Sequence, residues 1–247
     1  MTINLFIKII LIIIEFIYSY DKYEGCSLGN SYIILKIGKE GNCSLLYHGF
    51  KIMPIKVLIN DTSIADIDIK NYHYKKNSIV KMIWNETLRD INNMFRKCYG
   101  ISEIDFSGFN SSSINNTNSM FVDCHSLTSI NFSHFDTSLV TEMNHMFLGC
   151  ESLTSLDVSH FNTSLVKNME YMFCNCHNLI YLDISNFNTK SVTNMYSMFN
   201  SCFNLTSINL SNFNTSLVTN FASMFTNCSD LISLNLSNFN TSFGNKF

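Results

Sequence analysis

Proline and glycine are scarce in this 247-residue chain, which contains one proline and nine glycines. That scarcity excludes collagen-like, proline-rich and flexible-linker sequences. Charged residues are also few, at 14% of the chain against roughly 25% in an average soluble domain. With a net charge of −3, the chain lacks the basic excess of a nucleic-acid-binding protein, so no nucleic-acid partner is predicted.

The chain is rich in apolar residues and long enough to bury a core. Hydrophobic residues make up 46% of the sequence and include 21 phenylalanines, which argues against disorder. Charge is divided unevenly: residues 1–90 carry 11 basic and 9 acidic groups, whereas residues 91–247 carry 5 and 10. The two parts therefore have net charges of +2 and −5.

The first twenty residues form an apolar segment. Lys8 precedes a mostly apolar run over residues 9–18, and Ser19 is small enough for a cleavage site. This arrangement is typical of a signal peptide and favours export. Two alternatives stay open because Glu15 interrupts the run: an uncleaved membrane anchor over residues 3–20, or a segment buried in the fold.

The rest of the chain is dominated by a repeat of 26 residues. Met-Phe pairs recur at 94/95, 120/121, 146/147, 172/173, 198/199 and 224/225. A cysteine follows three residues after each of these phenylalanines. The register is unbroken across six units, at 92–117, 118–143, 144–169, 170–195, 196–221 and 222–247. Residues 92–247 are therefore predicted to be stacked copies of one supersecondary unit.

The spacing within one unit predicts its secondary structure. Val192, Met195 and Met198 lie three residues apart, which predicts the inner face of a short helix, with Thr189 at its N-cap. Further along, Ile208 alternates with polar residues, which predicts a half-buried strand. Each 26-residue turn is expected to hold one short parallel strand and one short helix, giving an α/β repeat solenoid.

The full unit resembles a known repeat. The segment Met172-Phe-x-x-Cys176-x-x-Leu179-x-x-Leu182-Asp-Ile-Ser185-x-Phe187-x-Thr189 is similar to the 26-residue repeat of the BspA-like leucine-rich repeat surface proteins. The resemblance covers residues 92–247. It implies a leucine-rich-repeat fold, a place on the cell surface and a role in adhesion or recognition, and it brings no catalytic residues.

Residues 21–91 do not repeat and are expected to form a small β-rich N-terminal cap. Apolar stretches over residues 32–37, 52–59 and 79–84 predict its strands. Cys26 and Cys43 fall in this segment, and an oxidising compartment would allow one disulfide between them.

The predicted strands present a polar face to solvent. Where Leu156 and Leu182 point inward, the alternating residues point outward. We define the strand face by ten of them: Ser129, Asn131, Ser155, Asp157, Tyr181, Asp183, Ser207, Asn209, Ser233 and Asn235. Repeat proteins bind through such extended faces, so this is the candidate interaction site for a protein or surface ligand. The face has one aromatic side chain to anchor a partner, Tyr181. The alternative is a solvated face whose side chains only hydrogen-bond along the ladder.

The cysteine column is the strongest chemical feature outside that face. Equivalent side chains in a stack point the same way, which is poor geometry for disulfides and for a tetrahedral zinc site. The thiols are therefore interpreted as small buried apolar groups, and no metal or cofactor is predicted. The sequence offers no catalytic triad, paired-carboxylate site or phosphate-binding loop, so the chain is not expected to be an enzyme.

Two functions are consistent with these patterns. The first is a non-enzymatic, exported protein, extracellular or at the cell surface, which mediates adhesion or protein–protein recognition through the strand face. The second is an intracellular leucine-rich-repeat scaffold that binds a protein partner. Free cysteines would suit the second, because a reducing cytosol keeps thiols reduced.

Overall fold

The structure is a computed structural model in which residues 31–64 and 67–240 are described. The signal peptide or anchor predicted in residues 1–20 lies outside the described residues, as does Cys26 of the predicted disulfide. In the part of the chain that is described, no helix has the length and apolar character needed to cross a membrane.

The described residues contain ten short strands. They are β1 (Ser31–Ile37), β2 (Gly41–Asn42), β3 (Lys56–Ile59), β4 (Thr62–Ser63), β5 (His73–Tyr74), β6 (Ile79–Trp84), β7 (Ile101–Asp105), β8 (Ser129–Asn131), β9 (Ser155–Leu156) and β10 (Tyr181–Leu182). Six of them form one sheet in the order β4-β3-β6-β1-β7-β8, and the other four form the pairs β2-β5 and β9-β10. The large sheet is mixed, because β7 and β8 are parallel whereas its other pairs are antiparallel.

The centre of the large sheet forms because β1 and β6 alternate apolar and polar residues. Every second residue is buried in both strands, among them Leu35, Met82 and the single tryptophan, Trp84. Such alternation places the apolar side chains on one face of a sheet. Both strands lie where the sequence predicts them. The strand predicted over residues 52–59 is β3, which begins later than expected, at Lys56.

Strand β1 also joins the N-terminal strands to the repeats. It pairs antiparallel with β6 on one side and with β7 on the other, where Ile34 lies opposite Asp105. Strand β7 then pairs in parallel with β8 of the next unit, with Glu103 opposite Ser129. The N-terminal strands therefore continue, within one sheet, into the first two units.

Beyond that sheet, each unit bonds to the next in parallel register. Parallel bridges join equivalent residues of successive units: Asp90, Asn116, Glu142, Asn168, Asn194 and Asn220. The pair β9-β10 places Tyr181 beside Ser155 in the same manner. Equivalent residues of neighbouring units are thus separated by about one inter-strand spacing, roughly 4.8 Å.

The short helix expected in each unit is replaced by a run of turns. Backbone N–H groups there alternate between two kinds of partner. Met198 N–H donates to Met195 O, three residues back along the chain (3.2 Å), whereas Phe199 N–H donates to Met224 O, 25 residues ahead in the next unit (2.9 Å). An α-helix needs each of these groups to bond four residues back within its own segment. The apolar spacing of three and four residues therefore arises from successive tight turns.

Left-handed backbone conformations also exclude a helix from these positions. Two residues in each unit, four apart, have positive φ, and in the fourth unit they are Tyr171 (54°) and Asn175 (58°). A left-handed residue cannot continue a right-handed helix. Most of these positions hold Asn, Asp, Ser or Gly, as at Gly149 (φ 73°), and Gly, Asn and Asp tolerate this conformation best.

The expected α/β leucine-rich-repeat-like solenoid, with one parallel strand and one helix per turn, is therefore wrong. The described residues contain strands and turns but no helix, and the main sheet is mixed. The physical reason lies in the backbone, because half of the N–H groups of the expected helix bond to the following unit instead.

A column of phenylalanine rings runs through the core of the repeats. The Phe147 ring is fully buried and stacks nearly parallel on Phe121 (centroids 5.4 Å apart, 8°) and on Phe173 (5.5 Å, 5°). The same stacking extends to Phe95 at one end and to Phe225 at the other. Because offset-stacked rings attract each other and exclude water, this column fixes the distance between neighbouring units.

A buried hydroxyl side chain, serine in the first unit and threonine in those that follow, ties each unit to the next. Thr163 is 1% exposed, and its hydroxyl accepts the Asn188 N–H (2.8 Å) and donates to the Asn188 carbonyl (3.0 Å) one unit further on. Thr189, which the sequence predicts as a helix N-cap, makes the same pair of bonds to the following unit instead. At the N-terminal side, the Ser31 hydroxyl of β1 accepts the Asn110 N–H (2.9 Å). Strand β1 thus takes the place of a preceding unit.

Candidate interaction face

The ten residues of the strand face lie on one exposed surface of the repeats. All of them are exposed, and their inward neighbours Leu156 and Leu182 are buried. Four of them lie in strands β8, β9 and β10, and a parallel bridge between Tyr181 and Ser207 extends the register into the fifth unit. Successive units therefore bring equivalent side chains of the strand face side by side.

Five of the ten strand-face side chains stabilise the turn that follows them in the chain. Asp157 Oδ1 accepts the backbone N–H of Ser159 (3.0 Å), and Asp183 Oδ1 accepts that of Ser185 (2.9 Å). The equivalent bond is made by Asn131, Asn209 and Asn235. These bonds are Asx turns, in which a short polar side chain stabilises a reversal of the chain. These five side chains therefore stabilise the backbone of their own units.

The same hydrogen bonds favour the ionised form of the two carboxylates. Donation by the Ser159 N–H, and then by its hydroxyl, lowers the pKa of Asp157, and Ser185 lowers the pKa of Asp183 in the same two ways. The described residues contain no cluster of three or more His, Cys, Asp or Glu side chains suited to a metal ion. What the strand face offers a ligand is negative charge and oriented acceptors.

Large apolar side chains stand beside these polar groups. Tyr181 is 57% exposed, Ile180 49% and Ile232 87%. Phe203 is 38% exposed and stacks on the His177 ring, with centroids 4.8 Å apart. All of these side chains belong to the last three units. Exposed apolar side chains that adjoin one another are the usual mark of an interaction surface, whereas single ones are common on any protein.

The alternation of the strand pattern predicts that Tyr181 points outward, but it does not indicate Ile180, Phe203 or Ile232. A signal was available, because the positions equivalent to Ile180 hold threonine at 128, 154 and 206. An apolar residue that replaces a polar one at an outward position carries more information than the common pattern of its column. The repeat defines the face, and Ile180 and Ile232 are departures from its pattern.

The buried cysteines donate hydrogen bonds as well as filling space. The Cys150 thiol lies 3.3 Å from the Phe121 carbonyl oxygen of the preceding unit. The same bond is made by Cys124, Cys176, Cys202 and Cys228. Burial raises the pKa of the Cys124 thiol to about 12. These thiols therefore keep their protons, and each proton is directed at a carbonyl oxygen.

A pocket of about 490 Å³ lies where the N-terminal segment meets the first unit. Its charged lining residues are Lys39, Glu40, Lys70, Arg96 and Lys97. Half-buried Cys43 also lines it, and the pairing of Cys43 with Cys26 stays a prediction. The pocket is not apparent in the sequence because its residues come from several separate stretches of chain. The available signal was the Arg96-Lys97 pair, which supplies two of the five basic residues beyond residue 90.

The repeat region matches a family model twice. The matches cover residues 89–181 and 151–246, and the family is described as “Mycoplasma protein of unknown function, DUF285”. Together they span more than half of the chain. The chain belongs to the DUF285 family.

Membership of DUF285 corrects the resemblance drawn from the sequence. No BspA-like or leucine-rich-repeat family model matches, so the assignment to the BspA-like leucine-rich repeat surface proteins is wrong. The DUF285 matches begin at residue 89 and leave β1–β6 outside them. No curated protein matches the chain. No solved structure matches it either.

Proposed function

We propose that this DUF285 protein is a non-enzymatic recognition protein that binds a protein or surface ligand through the strand face. The observation that carries the proposal is the set of exposed apolar side chains on an otherwise polar surface: Ile180, Tyr181, Phe203 and Ile232. Exposed apolar area is unfavourable in water, and covering it contributes about 25 cal/mol per Å². A partner that covers these four side chains would gain most of its binding free energy there.

The polar column beside them suits the rim of such an interface. Asp157, Asp183 and Asn209 each accept a backbone N–H from their own unit, so their orientation is fixed before binding. Preorganised groups lose little conformational entropy when a partner docks. The negative charge of the two carboxylates favours a partner that presents Lys, Arg or backbone N–H groups.

The length of the strand face is compatible with a protein-sized partner. From Ser129 to Ser233 the face crosses five neighbouring units, which at roughly 4.8 Å per strand extend about 19 Å. A standard interface buries about 800 Å² on each partner. Residues outside the strand face would therefore have to contribute to such an interface as well.

We further propose that the protein is exported and acts at the cell surface, on the strength of the apolar residues 1–20. The competing proposal is an intracellular scaffold, which is favoured by the free thiols of the described cysteines. Intact cells that express the tagged chain are treated with protease, and the N-terminal residue of the protein is determined. An accessible chain that begins near Tyr20 supports export, whereas a protected chain that retains Met1 contradicts it.

Two variants test the binding role of the strand face. Tyr181→Ser and Ile180→Thr introduce the residues that the preceding unit carries at these positions, so each substitution is compatible with the fold. The matched control is Leu165→Ser, which removes a 46% exposed side chain that is not part of the strand face. Its replacement is also borrowed from the repeat, because Ser191 occupies the equivalent position in the next unit.

The readout is binding of the labelled full chain to an array of purified surface proteins and glycans. We expect Tyr181→Ser to weaken binding to the recognised component by about tenfold or more, since a tyrosine at the centre of an interface is a typical hot spot. Leu165→Ser should bind like the wild type. The proposal fails if nothing on the array binds, if Tyr181→Ser binds normally, or if all three variants lose affinity equally.

A further inference from the structure

The pocket between the N-terminal segment and the first unit has a fixed frame and shares no residue with the strand face. Residues 39–44 and Tyr47 form one wall, and the first unit forms the other. Backbone hydrogen bonds join the two walls. Gly38 N–H donates to Gly100 O, and Tyr47 N–H donates to Met94 O, both at 2.8 Å. A pocket held by main-chain bonds is preorganised for a ligand.

Positive charge is concentrated in this pocket although the whole chain has a net charge of −3. The cationic lining residues are Lys39, Lys70, Arg96 and Lys97, against the single carboxylate of Glu40. Among the described residues, no carboxylate forms an ion pair with any of these four cations. Unpaired cations on a concave surface raise the local concentration of anions.

Two of the cations are oriented by neutral partners. Arg96 Nη1 donates to Asn93 Oδ1 (3.2 Å), and its guanidinium lies 5.9 Å from the centroid of the Tyr47 ring. Lys70 Nζ donates to the His48 carbonyl oxygen (2.8 Å). Neutral acceptors position these side chains without cancelling their charge, so the charge is available to a ligand.

We propose that this pocket binds a phosphate monoester. The guanidinium of Arg96 and the ammonium groups of Lys39 and Lys97 supply donors for the phosphate oxygens, for which a planar fork of N–H groups is well matched. Tyr99 is 46% exposed and stacks on His125, with centroids 5.4 Å apart, and provides an aromatic surface for the organic part of the ester. The volume of about 490 Å³ lies within the range of small-molecule sites, roughly 300–1,000 Å³.

The proposal does not depend on the strand face and is tested separately. Binding of phenyl phosphate to the full chain is measured by isothermal titration calorimetry at low salt, with inorganic phosphate and phenol as the two halves of the probe. The pocket variants are Arg96→Gln and Lys97→Asn. Asparagine is the residue that the fourth and sixth units carry at the position of Lys97, so the second variant is compatible with the fold even if the first is not.

The matched control is Lys190→Gln, which removes one positive charge from an exposed position in the fourth unit. We expect each pocket variant to weaken phenyl phosphate binding by about tenfold, the scale of one lost charge-assisted contact, and the control to bind like the wild type. Raising the ionic strength should weaken binding further. Equal weakening by Lys190→Gln, or phenyl phosphate binding that survives both pocket variants, overturns the proposal.

A second arm identifies where the phosphate comes from. Phosphatidylcholine vesicles with and without phosphatidic acid present the same monoester on a lipid surface. The pocket is assigned to a lipid headgroup if the chain binds phosphatidic acid but not phenyl phosphate, and if Lys97→Asn abolishes that binding. Binding of phenyl phosphate alone assigns it to a soluble ester. Binding to neither probe overturns the proposal.

Discussion

Removing one ring from the middle of the phenylalanine column should cost far more stability than removing one from its end. Phe147 is fully buried and stacks on Phe121 and Phe173, at 5.4 and 5.5 Å. Phe225 is only partly buried and, within the described residues, stacks on Phe199 alone, at 5.4 Å. The same substitution at the two positions therefore compares two stacked neighbours with one.

The expected magnitudes follow from burial and ring contacts. Phe147→Ala should lower the free energy of unfolding by about 4 kcal/mol, as is typical of a fully buried phenylalanine. Of this, about 1 kcal/mol comes from each of the two stacked pairs, and the rest from the edge-on contact with Phe132 (centroids 6.1 Å apart), the lost apolar burial and the cavity that remains. Phe225→Ala loses one pair and about half the burial, so about 2 kcal/mol is expected.

A double-mutant cycle isolates the stacking from the burial. Phe121→Ala combined with Phe147→Ala removes two adjacent rings, and their coupling free energy should be about 0.5–1.5 kcal/mol. Phe121→Ala combined with Phe199→Ala removes two rings that have two others between them. Those effects should add to within about 0.5 kcal/mol.

Guanidinium-induced unfolding of the full chain supplies these free energies. Far-UV circular dichroism follows the whole chain, and the fluorescence of the single tryptophan, Trp84, follows the N-terminal sheet. Coincidence of the two transitions justifies a two-state analysis. Two results would refute the explanation that stacking between neighbouring rings stabilises the column. One is an equal loss of unfolding free energy at Phe147 and Phe225, and the other is equal coupling in the adjacent and the separated pair.

Two further predictions concern the hydrogen bonds between units. Thr163→Ala should lower the free energy of unfolding by about 1–3 kcal/mol, because it leaves the Asn188 N–H without its acceptor. Thr163→Ser should lower the free energy of unfolding much less, since Ser111 accepts the equivalent N–H in the first unit at 2.7 Å. Equal losses of unfolding free energy for the two variants in denaturant titrations would contradict this. Cys124, whose pKa is raised to about 12, should resist iodoacetamide at pH 8, because roughly one molecule in ten thousand carries the thiolate. Mass spectrometry should show the half-buried Cys43 and Cys228 reacting before Cys124, and rapid labelling of Cys124 in the folded chain would contradict the prediction.

The repeat period makes the side-chain packing largely predictable from the sequence. Once the 26-residue register is known, apolar identity assigns Leu182 to the interior, and alternation along the strand places Tyr181 and Asp183 outside. The structure has Leu182 buried and the other two exposed. This inference needs only the two-residue period of a strand. It does not require the path of the chain between strands, which the same pattern leaves undetermined.

The helix and the pocket show where that reasoning fails. Apolar residues three and four apart, such as Met195, Met198 and Phe199, face one side of an α-helix, but tight turns with left-handed residues between them give the same spacing. The partners of the backbone N–H groups distinguish the two structures, and spacing carries no information about them. The pocket is unpredictable for a different reason, because Lys39 and Arg96 are far apart in sequence and converge only through the pairing of β1 with β7.

Every junction between units is made by the same three contacts: stacked phenylalanine rings, a cysteine thiol on a phenylalanine carbonyl, and a threonine hydroxyl (serine in the first unit) on the next backbone. One consequence is evolutionary. Duplication or deletion of a whole 26-residue unit leaves each remaining junction chemically intact, so the number of units can change without a new interface having to arise. Insertion of a single residue displaces ring, thiol and hydroxyl together. Selection should therefore act far more strictly on the length of a unit than on how many units a chain contains.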